Sequence, residues 1–208
     1  MNSKYKEYKA PYILEKHPFE AYIPEKAKTL IIGTFPTRKE NRKFEFYYAN
    51  EKNVFWDILG KIFNFQFHFD EGMKAVNERK EFLKDNLIGI TDMHLLCYRR
   101  KGSSSDKDIL HVKLQDIFFL LSQYPSINKL ILTSRTEYVG ALGLLKIYFM
   151  QQDKFLEIPQ SATKLIKNTF IYEERTIKIF VPYSTSPKVM KDYEFDFILN
   201  MYKQVFSD

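Results

Sequence analysis

A single cysteine, Cys97, stands among 208 residues, and that scarcity closes several routes at once. One thiol makes no disulfide within the chain. Nor can it supply the set of thiolates that a cysteine-ligated zinc or an iron–sulfur cluster takes. A reducing compartment follows as the expectation, hence a cytoplasmic protein. The first 30 residues lack a continuous apolar core of the kind a secretory leader carries, and no stretch reaches ~18 uncharged apolar residues, so neither a signal peptide nor a membrane span is expected. Glycine numbers only seven, and no repeat or low-complexity tract occurs. A chain of this length buries roughly 70% of its unfolded surface, so one domain without metal or disulfide is the expected organisation.

What is present is basic and aromatic. The net charge is +6, with 16% aromatic residues. Residues 175–191 hold Arg175, Lys178, Lys188 and Lys191 with no acid, and residues 98–107 hold Arg99, Arg100, Lys101 and Lys107 against Asp106. Two such windows suit a polyanionic partner without establishing one.

Four short apolar runs predict buried strands: Thr29–Gly33, Leu87–Asp92, Lys129–Thr133 and Ile177–Pro182. Amphipathic segments between and after them predict helices over Val54–Phe63, Glu78–Leu87, Leu114–Tyr124, Tyr138–Met150 and Val189–Phe206. Phe170–Tyr172, followed by Glu173-Glu174, predicts a hairpin arm on the last strand. Strands alternating with helices argue for an α/β fold, whose ligands sit at the carboxyl ends of the strands.

The loops at those ends carry the chemistry. After the first strand comes Gly33-Thr34-Phe35-Pro36, then Tyr47-Tyr48-Ala49, Asn53 and Phe55-Trp56. Asn53 sits where a helix N-cap belongs, and on spacing alone capping is its ordinary role. Asp92 is open between orienting a water and accepting turn hydrogen bonds. His94 and Cys97 lie three apart without further ligands. The basic run 99–101 and the hydroxyls of 103–105 suit phosphate contacts, or equally a flexible loop that caps the next helix. Tyr183-Ser184-Thr185-Ser186-Pro187-Lys188 predicts a helix start, with Ser186 as N-cap, and a phosphate site on its free N–H groups. Tyr183 is open between a wedge separating bases and a buried core residue.

Taken in order, Gly-Thr-Phe-Pro (33–36), Tyr-Tyr-Ala…Asn-x-Phe-Trp (47–56), Gly-Ile-Thr-Asp (89–92) running to Arg99, Gly102-Ser103 and Ser105-Asp106, and Ser-Thr-Ser-Pro (184–187) resemble the uracil-DNA glycosylase superfamily, over about residues 29–190. The branch most similar is the one with hypoxanthine-DNA glycosylases and mismatch-specific uracil-DNA glycosylases. The resemblance implies a three-layer α/β/α sandwich on a four-stranded parallel sheet, one glycosylase-like domain over 1–208 with residues 1–28 as an extension packed on it. It implies a monofunctional DNA glycosylase that hydrolyses the N-glycosidic bond of a flipped deaminated base, uracil or hypoxanthine, in base excision repair. Phe35 stands where many members have a water-positioning polar residue, so Asn53 takes that role. Gly33, Thr34, Phe35, Pro36 and Tyr48 would form the base site. Arg99, Ser103, Asp106, Tyr183, Ser184, Thr185, Ser186 and Lys188 would meet DNA, duplex or single-stranded. No metal, organic cofactor or membrane is implied, and a monomer is expected. Thr133-Ser134-Arg135 stands where the branch tends to carry Asn-Gly. Two other classes remain beside this reading: a glycosylase-like module that binds nucleic acid without catalysis, and a hydrolase of free nucleotides or nucleosides.

Overall fold

A computed structural model describes residues 11–159, 161 and 164–207. Of the N-terminal extension, residues 1–10 thus lie outside the described part. The elements are β1 (Tyr12–Lys16), β2 (Thr29–Gly33), α1 (Phe55–Phe63), α2 (Gly72–Asp85), β3 (Ile88–Asp92), β4 (His94–Arg100), β5 (Ile109–Leu114), α3 (Ile117–Gln123), β6 (Lys129–Leu132), α4 (Ala141–Gln151), β7 (Ile166–Tyr172), β8 (Arg175–Val181) and α5 (Phe195–Ser207).

The main sheet runs β3-β2-β6-β8-β7. Its first four strands are parallel, and β7 is antiparallel to β8. Every residue of β2 and β3 is buried, as expected of parallel strands covered on both faces. Leu30, Ile32, Leu130, Leu132, Ile179 and Val181 pack on one side against α3 and α4. Ile31, Ile90, Ile131 and Phe180 pack on the other against α1, α2 and Val205 of α5. Helices on both faces make three layers, but the sheet is five-stranded and mixed rather than four-stranded and all parallel. The fifth strand is the predicted hairpin arm. Its two-residue loop places Glu173 at φ 47° and Glu174 at φ 65°, the left-handed pair that lets strands of natural twist reverse tightly.

A second, three-stranded antiparallel sheet, β1-β4-β5, was not predicted. The chain leaves the main sheet at Asp92, turns at Met93 and enters β4 at once. The stretch expected as a basic loop is therefore a strand as far as Arg100. The helices also shift. α2 begins six residues before the predicted start, in an exposed turn that no apolar pattern marks. Leu114 ends β5, and α3 starts after Asp116, whose carboxylate accepts the Phe119 N–H at 3.0 Å. The predicted helix from Val189 is one 3₁₀ turn, Val189–Lys191; α5 follows only at Phe195. No described helix is long and apolar enough to cross a membrane.

Candidate active site

Parallel register brings the strand ends level: Gly33 faces Asp92, and Ile32 faces Leu132. Gly33 is required there by space. A Cβ on it would lie 2.1 Å from Asp92 Oδ1 and 2.9 Å from Tyr48 Oη. Asp92 is buried, and its other oxygen lies 3.0 Å from Nε2 of His17, a residue just beyond β1. Tyr48 is held in the left-handed region at φ 53°, a conformation that costs roughly 1–2 kcal/mol for an L-residue. Its hydroxyl shares a 2.7 Å hydrogen bond with Thr133, and its ring stacks on Phe55 at 3.8 Å. Burial, then the nearby Asp92 charge, raises its pKa well above the phenolic norm.

Asn53 precedes α1 and caps it in effect, since its Oδ1 accepts the Phe55 N–H at 3.0 Å. The same oxygen accepts the Thr185 hydroxyl at 2.7 Å. A backbone N–H only donates, so this bond fixes which end of the amide is oxygen. Two donors fill the two lone-pair directions, and the remaining capacity of Asn53 is the NH₂ group. Thr185, expected to meet DNA, is instead 1% exposed and turned inward to hold Asn53. Its carbonyl also accepts the Val54 N–H at 3.3 Å, binding the 182–188 loop to the start of α1.

Two further expectations for DNA contact, and one for helix capping, are corrected. Arg99 is 1% exposed, because β4 carries it under the first loop. Its Nη2 donates to the Pro36 carbonyl at 2.6 Å, and its guanidinium lies 4.6 Å from the Phe35 ring centre. Tyr183 is no free wedge: Arg135 lies over its ring at 4.0 Å and Tyr193 packs against it at 4.4 Å. Ser186 caps no α-helix; its carbonyl accepts the N–H groups of Val189 and Met190 in the 3₁₀ turn. Ser184 Oγ accepts the Ser186 N–H at 3.2 Å, while Lys188 is exposed.

Phe35 is half-buried, with edges of His17 and His94 at 5.4 and 6.1 Å. Burial, then His111, His17 and Arg99, pushes the His94 imidazole down to about 4, so it is neutral at ordinary pH. Ser103 donates to Asp108 at 2.6 Å, and Ser104 Oγ accepts from Thr37 Oγ1 at 3.3 Å. The first bond closes the 102–108 segment on itself; the second, with the Arg38 N–H donating to Ser104 Oγ at 3.4 Å, ties it to the loop after β2. Asp106 lies there in the single turn Asp106–Asp108. Desolvation, reinforced by Asp92, pushes its carboxyl up to about 6 despite Thr34, Arg99 and Lys188. Sequence reasoning gave no role to His17, an isolated residue joined to the site only by folding, and marked Thr133 only as the start of the Thr133-Ser134-Arg135 stretch at the end of the third predicted strand.

No family model matches the chain. A protein of Methanosarcina barkeri named hypoxanthine DNA glycosylase is 32% identical over 96 residues, 45% of this chain and 56% of that relative. A protein of the same name from Methanosarcina acetivorans is 28% identical over 122 residues, 58% of this chain and 72% of the relative. The chain thus spans little more than half the length of the first relative. A solution NMR structure from Methanosarcina acetivorans, provisionally named uracil DNA glycosylase, superposes with a TM-score of 0.60 at 20% identity, over 93% of this chain and 97% of that one. The chain resembles the hypoxanthine-DNA glycosylase branch of the uracil-DNA glycosylase superfamily. Within that superfamily frame, the four motifs read from sequence all gather at one end of the main sheet. Among the described residues, no group of three or more His, Cys, Asp or Glu side chains is arranged to hold a metal.

Proposed function

We propose that this protein is a monofunctional DNA glycosylase that removes a flipped deaminated base, uracil or hypoxanthine. The observation that carries the reading is the fixed amide of Asn53. Phe55 N–H and Thr185 Oγ1 hold its oxygen, and its NH₂ is left to orient a water. Hydrolysis of an N-glycosidic bond passes through an oxocarbenium-like sugar. The site must therefore hold water in line with C1′ and favour negative charge on the departing base. The orientation of Asn53 serves the first need. The positive end of the α1 dipole would serve the second. Gly33 to Pro36 and Tyr48 would form the walls against the flipped base, and Ser184 with Lys188 would contact the phosphate backbone. No lysine is needed, since water rather than an amine is the nucleophile.

The test is direct. Duplexes and single strands carrying uracil, hypoxanthine or xanthine are incubated with excess protein, then treated with alkali to cut abasic sites. Strand cleavage at the deaminated position, dependent on alkali, is expected. Cleavage without alkali would indicate a lyase, and no cleavage together with tight binding would favour the non-catalytic module. One feature speaks for that second reading: Asp92 and Tyr48 already occupy the space above Gly33.

A further inference from the structure

The small sheet β1-β4-β5 has two faces, and only one is spent on the fold. Strand alternation sends Cys97 and Arg99 inward, both buried, with buried Ile109 opposite Arg99. The other face carries cross-strand rows set by the register. Leu14, Tyr98 and Leu110 form its middle row. They are 50%, 44% and 51% exposed, so this face is left uncovered. Lys16, Leu96 and Lys113 form the row on one side, and Tyr12 with Arg100 the row on the other. The charged residues in these rows are all cations. Among the described residues, Lys16 and Lys113 enter no ion pair, and the Tyr98 side chain makes no ring contact or hydrogen bond. Arg100 meets Asp108 only at 3.8 Å, with its own side chain 61% exposed, and Glu15 is turned to the inner face, 3.4 Å from Arg99.

We propose that this face binds single-stranded DNA, with a base stacked on Tyr98 and the neighbouring phosphates held by Lys16 and Lys113 on one side and Arg100 on the other. Two residues along a strand cover about 6.7 Å, so the cations flank Tyr98 at about that distance in both directions. An aromatic platform set among such charges suits a single strand, whose splayed bases offer the ring face that a duplex keeps within its stack. A protein partner suits it less well, because the buried centres of protein interfaces are depleted in lysine. A second copy of this chain suits it least. A two-fold interface sets one patch against itself, and here it would press cation on cation.

β4 joins this face to the candidate site. It begins at His94, whose N–H donates to the Thr34 carbonyl at 3.2 Å and whose ring lies edge-on to Phe35 with centres 6.1 Å apart. Leu96, in the lysine row, is two residues further on, and Tyr98 is four, about 13 Å from His94. The choice of DNA among single strands rests on the glycosylase reading above. The stacking surface itself uses neither Asn53 nor Tyr48.

Fluorescence-anisotropy titrations with an undamaged oligothymidylate of about 12 nucleotides test this, since no deaminated base is there to engage Asn53. The wild type should bind it with an affinity that falls as salt rises. Tyr98→Ala should weaken binding by about 5-fold or more, the low end for a lost base stack, while Tyr98→Phe, which keeps the ring, should bind as the wild type does. Lys16→Ala and Lys113→Ala, both at exposed positions, should each lower the slope of log K against log salt by about 0.7. Equal binding by wild type and Tyr98→Ala, or unchanged slopes in the lysine variants, would overturn the proposal. Tighter binding of an oligouridylate of the same length would assign the face to RNA and overturn it too. So would wild-type dimers that Tyr98→Ala abolishes, with no binding of the strand, which would give the face to a second copy. The glycosylase reading stands or falls separately. A wild type that binds oligothymidylate through Tyr98 yet cuts no deaminated strand would sink that reading and leave this surface in place, whereas cleavage of deaminated strands without any role for Tyr98 in binding would do the reverse.

Discussion

At the scale of single residues, the decisive pair is Asn53 and Thr185, 132 positions apart and joined by one 2.7 Å hydrogen bond. Thr185 touches no substrate on this reading. It acts by holding the amide so that NH₂, not oxygen, meets the water. Asn53→Ala is expected to lower single-turnover cleavage by about 100-fold or more with DNA binding kept, as loss of a positioning group in catalysis does. Thr185→Val keeps volume but removes the donor, and should cost a smaller factor, together with about 1 kcal/mol of stability for a lost buried hydrogen bond. The two substitutions act on one device. Adding Thr185→Val to Asn53→Ala should therefore change the rate no further, and a double-mutant cycle in cleavage rate checks this. Independent, multiplicative losses would show that Thr185 works through something else.

At the scale of elements, what the sequence reveals depends on how thoroughly an element is buried. β2 and β3 are buried at every position, so their apolar runs were readable to within a residue. β4 is not of that kind. Its burial alternates irregularly, its pairing with β5 shifts register around Leu96, and its end carries two arginines. Charge at 99–100 therefore reads as solvent-facing loop, although the Arg99 guanidinium is enclosed by Phe35, Pro36 and Glu15. The site was legible to the same degree. Gly33 to Pro36, Tyr48 and Asn53 follow buried strands or precede a helix, whereas the inward turn of Thr185 depends on a partner 132 residues away. The correction has a consequence for the small sheet. If Arg99 braces the first loop, Arg99→Met should lower thermal stability and cleavage rate together, because the Pro36 carbonyl loses its donor. Its effect on DNA affinity should be the same at low and high salt. A loss of affinity confined to low salt would restore Arg99 to the DNA surface.

At the scale of the whole molecule, the net charge of +6 has to be redistributed before it says anything about DNA. The window 175–191 does not lie on one surface. Arg175 sits at the far end of β8 from the site, donating to the carbonyls of Leu121, Pro125 and Ile127. Arg99 is spent inside. The exposed cations in and after β4 and after β8 include Arg100, Lys101, Lys107 and Lys188, with half-buried Arg38 held to the same segment by its N–H bond to Ser104 Oγ. Affinity for duplex DNA should then fall with salt with a slope set by those few contacts, not by the total charge, since each neutralised phosphate contributes about 0.9 to the slope of log K against log salt. Lys188→Ala should reduce that slope by about 0.9, while Arg175→Met should leave it unchanged. Fluorescence-anisotropy titrations of a deaminated duplex across a salt series measure both. An equal reduction in the two variants would mean that DNA follows the basic windows of the sequence rather than the end of the sheet that carries Gly33 and Asn53.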